Sequence, residues 1–208
     1  MMIIGLTGSF ASGKSTVAGW MAERQIAVHA ADSVVHGLLA ARGKAVPKVV
    51  AKFGNSFVAA DGGINRKKLG DHVFFHPQDR QMLESILHPL VIKHREKFLD
   101  CHRSLGSDIV VLDVPLLFET GADALCDYVV VVFAAEDTIR QRAETRLGMT
   151  REKLSKILKT QLAAAEKCQR ADFVLNTDLE PKVTRQLLFS WLDDLPLVAD
   201  TSGGDNNA

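Results

Sequence analysis

The chain has 208 residues, with 25 basic against 25 acidic side chains and a hydrophobic share of 47%. That length carries one main domain with room for insertions, and the charge balance removes the case for a broad nucleic-acid or membrane surface. Cys101, Cys126 and Cys168 lack C-x-x-C spacing and read as reduced thiols of a cytoplasmic protein. The first residues carry no basic region, and their apolar run breaks at Gly5 and Thr7. Neither a signal peptide nor a membrane span is expected.

A strand predicted over Met2–Leu6 runs into Gly8-Ser9-Phe10-Ala11-Ser12-Gly13-Lys14-Ser15, the G-x-x-x-x-G-K-[ST] pattern of a phosphate-binding loop. The glycines let the backbone curl so that successive N–H groups face one anion. Lys14 is expected to reach the outer phosphates and the Ser15 hydroxyl to coordinate Mg²⁺. A helix over 14–24 adds the positive end of its dipole. Gly8, Ala11, Ser12, Gly13, Lys14, Ser15 and Thr16 are therefore the expected nucleotide-binding residues. Non-glycine residues fit such a loop if their φ stays negative, and Lys14 is expected to face solvent when nothing is bound.

A second strand, Ile26–His29, leads to Asp32 and a helix over 33–41. A carboxylate there is suited to accept a proton from an attacking hydroxyl. It is equally suited to cap the helix. Residues 32–108 show no buried-strand pattern but carry a helix over 80–100, a turn at Asp61-Gly62-Gly63, and apolar residues at Phe53, Phe57, Phe74, Phe75 and His88-Pro89-Leu90. The stretch is too long for a plain crossover. It reads as an inserted helical subdomain that forms the second substrate's pocket, with a decorative insertion as the alternative.

The third strand, Ile109–Asp113, ends on a carboxylate placed to bond a metal's water or the Ser15 hydroxyl. Pro115 stops the strand. Leu117 reads as core, and Glu119 as a solvated residue. The fourth strand is Tyr128–Phe133. A helix over 136–146 carries Arg140, Arg142 and Arg146, of which the last two share a face. They suit a lid that clamps phosphates, or else a solvated face beside Glu144. A helix over 151–168, a strand at Phe173–Asn176 and a helix over 180–193 follow, before a polar, disordered tail at 197–208. Strands alternating with helices predict a three-layer α/β P-loop NTPase fold on a five-stranded parallel sheet, with ligands at the C-terminal strand ends.

The chain resembles the dephospho-coenzyme A kinases, P-loop kinases that phosphorylate the ribose 3′-hydroxyl of dephospho-CoA. The resemblance spans roughly residues 2–192. It is carried by Gly-Leu-Thr-Gly with the P-loop, Ala31-Asp32, Asn65-Arg66 through Leu69-Gly70 to Val73-Phe74, and Leu83-Glu84-x-Ile86-x-His88-Pro89. Asp113-x-Pro115-Leu116-Leu117-Phe118-Glu119, Arg142 to Arg146, Gln161, Ala171-Asp172 and Asn176 complete it. The family often has Asp-Ala-Asp where this chain has Ala30-Ala31-Asp32, Gly-Ile-Gly where it has Ser9-Phe10-Ala11, and Asp where it has Asn65.

The resemblance implies ATP with Mg²⁺ and dephospho-CoA as small-molecule substrates, and a monomer or weak homo-oligomer. It implies Asp32 as the catalytic carboxylate, working with Lys14 and Arg142. His88, Pro89, Leu116 and Glu119 are then on the acceptor side, and Asn176 is with the nucleotide beside Arg142 and Arg146. The implied layout is a core of 1–31, 106–139 and 169–195, a CoA-side subdomain at 32–105 and a lid at 140–168. A GTP switch would need Asn-Lys-x-Asp, and a transport ATPase Ser-Gly-Gly-Gln; both are missing. A nucleoside-monophosphate or shikimate-type kinase and a non-catalytic ATP-binding regulator remain the alternatives.

Overall fold

A computed structural model of the protein describes residues 1–145 and 149–196. Arg146 and the tail from 197 onward lie outside the described residues. In chain order the elements are β1 (Met2–Gly8), α1 (Lys14–Glu23), β2 (Ala27–Ala30), α2 (Ala31–Leu39), α3 (Val46–Phe53), α4 (Arg66–Phe75) and α5 (Pro77–Ser104). There follow β3 (Ile109–Asp113), β4 (Tyr128–Phe133), α6 (Glu136–Glu144), α7 (Arg151–Lys159), α8 (Ala164–Gln169), β5 (Phe173–Asn176) and α9 (Pro181–Asp193).

The five strands form one sheet in the order β2–β3–β1–β4–β5. β1 pairs in parallel with β3 and with β4, and β4 with β5. The registers Leu6↔Asp113, Gly8↔Val132 and Phe133↔Asn176 bring four C-terminal strand ends to one edge. Strand side chains alternate between faces, so a continuous valine run needs cover on both sides. β4 meets that demand: Val130 and Val132 pack with Ile4, Leu6, Val17, Met21 and Leu188. Val129 and Val131 pack with Leu117 and Phe118. Leu117 is fully buried, as its sequence context predicts.

The chain divides into two compact units, Met1–Val28 with the chain from His102 onward, and His29–Cys101. The second has its own core of Leu38, Leu39, Val49, Phe57, Ile64, Leu69 and Leu87. The expected turn lies within it: Gly62 has φ 84°, the Gly63 N–H donates to Asp61 Oδ1 at 2.9 Å, and Val58 bridges Ile64. No helix of the described residues is long and apolar enough to cross a membrane.

The helices depart from expectation in three places. α3 and α4 are additional; α4, interrupted by Gly70, presents no clear helical period, whereas α3 is short but amphipathic, with Val49 buried. α2 begins at Ala31, which places Asp32 inside the helix. The single helix expected over 151–168 breaks after Lys159. Across the break Gln161 Oε1 accepts from the Phe10 N–H at 3.0 Å, and the Leu162 N–H donates to Glu119 Oε1 at 2.7 Å. Those two contacts satisfy groups that a continuous helix would direct elsewhere.

Candidate active site

The loop between β1 and α1 is shaped by residues that tolerate little else. A Cβ at Gly8 would stand 2.5 Å from the Val132 carbonyl oxygen and 2.7 Å from Ser12 Oγ. Gly13 takes φ 95° as the N-cap of α1, and its carbonyl accepts from the Thr16 and Val17 N–H groups at 3.0 and 3.2 Å. A side chain at that φ would be strained. The Ser12 N–H donates to the Ser9 carbonyl at 3.1 Å. Ser12 Oγ is buried and has no hydrogen-bond partner among the described residues.

Ala11 corrects one expectation, because its φ is +59°. The left-handed region costs an alanine about 1–2 kcal/mol. The methyl group is buried in a small cluster with Ala134, Ile139, Ala143 and Leu154, and that burial offsets part of the cost.

Lys14 corrects a second expectation. Its side chain is only 12% exposed, and Nζ is ion-paired with Asp113 Oδ1, whose own side chain is 9% exposed. The register of β3 beside Leu6 places Asp113 there, where an opposite charge satisfies an ammonium held out of water. Ser15 and Thr16 lie exposed on the first turn of α1.

The arginines separate. Arg140 pairs with Glu136 on the exposed face of α6 at 2.6 Å. Arg142 turns the other way, and its two terminal nitrogens donate to Thr177 Oγ1 at 2.9 Å and to the Thr177 carbonyl at 2.7 Å. Thr177 Oγ1 is also 2.7 Å from the Ser12 carbonyl and 3.1 Å from that of Phe133. One threonine therefore ties α6, the loop and the end of β4 together. Sequence reasoning missed it; the available signal was its place directly after a strand predicted to end at a ligand site.

Asn176 faces its own loop. Its Oδ1 accepts from the Asp178 N–H at 2.8 Å, and Asp178 accepts from the Ala135 N–H at 2.8 Å. A cavity of about 360 Å³ opens beside Gly13, bounded by Trp20, Arg142, Leu179 and Pro181 among others.

Glu119 is exposed as a residue, but its side chain, 18% exposed, is engaged by protein. Its carboxylate meets the fully buried Lys167 ammonium at 3.1 Å and accepts the Leu162 N–H. Burial alone would raise its pKa. The backbone hydrogen bonds and Lys167 outweigh that and hold it below the usual carboxylate value. Lys167 also donates to the Pro115 carbonyl at 3.3 Å.

The dephospho-CoA kinase family model, CoaE, matches residues 2–182. The chain belongs to the dephospho-CoA kinase family. A dephospho-CoA kinase of Rhizobium meliloti is 44% identical over 195 residues, covering 94% of this chain and 98% of the relative. One of Agrobacterium fabrum is 45% identical over 177 residues, covering 85% and 89%. Among solved structures, TT1252 from Thermus thermophilus superposes with a TM-score of 0.77 at 28% identity, covering 94% and 98% of the two chains. A dephospho-CoA kinase from Campylobacter jejuni follows at 0.64 and 25%, covering 92% and 95%.

Of the residues that the family resemblance singles out, Asp32 sits in the first turn of α2, exposed and without a hydrogen-bond or ion-pair partner among the described residues. The N-cap of α2 is Ala30, with φ −88° and no side-chain hydrogen bond. The capping role weighed for Asp32 thus belongs, by position, to residue 30. His88 is exposed on α5, Pro89 lies inside that helix, and Leu116 is half-buried in the turn after β3.

Proposed function

We propose that the protein transfers the terminal phosphoryl group of ATP to the ribose 3′-hydroxyl of dephospho-CoA, giving CoA and ADP, the last step of CoA biosynthesis, in the cytoplasm. The observation that carries this reading is the phosphate cradle from Gly8 to Ser15, flanked by the Lys14–Asp113 pair and the Thr177-anchored Arg142 in a chain of this family. The curated relatives are named for that activity.

The residues fit Mg²⁺. The donor set is an exposed hydroxyl on Ser15 and a carboxylate on Asp113, hard oxygens of the kind the ion takes, with an unpartnered Ser12 hydroxyl in the same loop. Bound there with the nucleotide, the ion would neutralise phosphate charge. On this reading Lys14 would exchange Asp113 for the outer phosphates, and the Asp113 carboxylate would then help to hold the ion. Arg142 presents a planar fork to the transferring oxygens while its Thr177 contacts hold the helix at the loop. Trp20, Leu179 and Pro181 receive the nucleoside end, in a cavity of a size suited to a small ligand.

Asp32 orients the 3′-hydroxyl and accepts its proton late in a loose transition state. Its support is the family resemblance together with its exposed and unpartnered carboxylate. The experiment is ADP release with and without dephospho-CoA, run beside shikimate and nucleoside monophosphates. Turnover restricted to dephospho-CoA is expected. Equal turnover on another acceptor would identify a different small-molecule kinase, and binding without turnover a regulator.

A further inference from the structure

We propose that His72, His76 and Asp79 form a binding site for a divalent transition-metal ion of the Zn²⁺ or Co²⁺ kind. It would hold the end of α4 to the start of α5. The three residues offer one ligand atom each within 4.8 Å of one another. All three belong to the unit His29–Cys101, and none of them is part of the phosphate cradle.

The local sequence builds the cluster. His72 and His76 are four residues apart at the end of α4, so they share a face. Their rings lie 4.3 Å apart at an interplanar angle of 18°. Pro77 opens α5 at once, which brings Asp79 into its first turn. The Phe57 ring, 5.3 Å from His72, limits that imidazole's freedom.

The hydrogen bonds leave His76 Nε2 ready and hold His72 against Asp79. His76 Nδ1 stands 2.7 Å from the His72 carbonyl oxygen. A carbonyl only accepts, so Nδ1 carries the proton and Nε2 keeps its lone pair. That is the arrangement by which metal-ligating histidines are oriented. His72 Nε2 is 2.6 Å from Asp79 Oδ2 with one proton between them. A metal ion takes that proton's place when the ring carries its proton on Nδ1 instead. Ligands of one tetrahedral ion stand about 3.3 Å apart, so the His72–Asp79 pair opens by about 0.7 Å and the third ligand atom, within 4.8 Å of them, closes by up to about 1.5 Å. Two imidazoles and a carboxylate suit Zn²⁺, Co²⁺, Ni²⁺ or Cu²⁺, and are too few oxygens for Mg²⁺ or Ca²⁺. His76 is exposed, which leaves a fourth position to water.

The test uses the full chain without a histidine tag, stripped by chelator and titrated with Co²⁺ in the absence of nucleotide and acceptor. One Co²⁺ per chain is expected, with the visible absorption of low coordination. Affinity is expected to fall at least tenfold in His76→Ala and in Asp79→Asn, and to stay unchanged in His88→Ala. His76 is exposed, so its variant keeps the fold. Zn²⁺ is expected to raise the unfolding midpoint of the parent by several degrees and leave that of His76→Ala unmoved. Absence of saturable binding at micromolar metal, or equal binding by His76→Ala, would overturn the site. Neither result depends on phosphoryl transfer, so the kinase reading stands or falls separately.

Discussion

Lys14 and Asp113 hold each other where each would otherwise be a poorly hydrated charge. Removing the lysine therefore has two consequences that can be measured apart. Turnover of Lys14→Ala is expected to fall on the order of 10²-fold, as when one electrostatic donor is lost from a transition state. Its unfolding free energy is expected to fall by about 1–3 kcal/mol, because Asp113 is left without its ammonium. Asp113→Asn combined with Lys14→Met removes both charges, and is expected to regain most of the stability while staying inactive. Urea unfolding beside an ADP-release assay checks both. Near-normal turnover of a folded Lys14→Ala enzyme would remove the P-loop mechanism. The phosphate-binding pattern around this lysine was legible in the sequence because it demands particular residue types at fixed spacing. The ion pair was not, because it depends on which strand lies beside β1, and that is a tertiary fact.

At the N-terminus of α2 the backbone is set for a cap that the side chain of Ala30 does not supply. Ala30→Asp is expected to stabilise the protein by about 1 kcal/mol, since an aspartate there accepts from a first-turn N–H and meets the positive helix end. A denaturation midpoint that is unchanged or lowered would show that the cap geometry is not used. One residue earlier, His29 is 3% exposed, with Nε2 3.1 Å from His94 Nδ1 and an Nδ1 that has no partner among the described residues. Burial, helped by His94 and Arg95, lowers its pKa from 6.5 to about 4. The unfolded chain binds this proton more readily than the native one, so the contribution is whole above pH 6.5 and is lost as pH falls toward 4. The loss approaches about 3 kcal/mol. His29→Leu is expected to flatten the fall in unfolding midpoint between pH 7 and pH 5; an unchanged slope would clear His29 of the effect. The element scale also shows where the sequence was readable. Strands β3 and β4 are apolar runs covered on both faces, and their predicted bounds are those of the structure. α4 escapes because its apolar residues form no regular stripe, whereas the apolar face of α3 is present but confined to a helix of 8 residues. The break before α8 is set by Glu119 and Phe10, both remote in sequence.

On the scale of the whole molecule, the phosphate loop, Arg142, Thr177 and the adjoining cavity all belong to one unit. Asp32, the proposed proton acceptor, belongs to the other unit. A kinase organised in this way is exposed to a side reaction, because water is always available as an acceptor while the proper one is still absent. The contacts suggest how the loss is contained. The Phe10 N–H of the phosphate loop is bound by Gln161, and the Leu162 N–H by Glu119, so the segment connecting α7 and α8 is fastened to that loop and to the chain after β3. We expect that segment to take its closed arrangement only when acceptor binding adds its free energy to that of ATP. ATP hydrolysis without dephospho-CoA is then slow. Trypsin cleavage at the exposed Arg151, Lys156 and Lys159 is suppressed by a non-hydrolysable ATP analogue together with dephospho-CoA, and much less by either alone. Arg142→Lys is expected to lose activity in the same experiment without losing nucleotide binding, since a single ammonium cannot present a planar fork to the phosphate oxygens. Equal protection by nucleotide alone, or an unimpaired Arg142→Lys enzyme, would show that closure is not gated by the acceptor and that Arg142 serves only to pin α6 to Thr177.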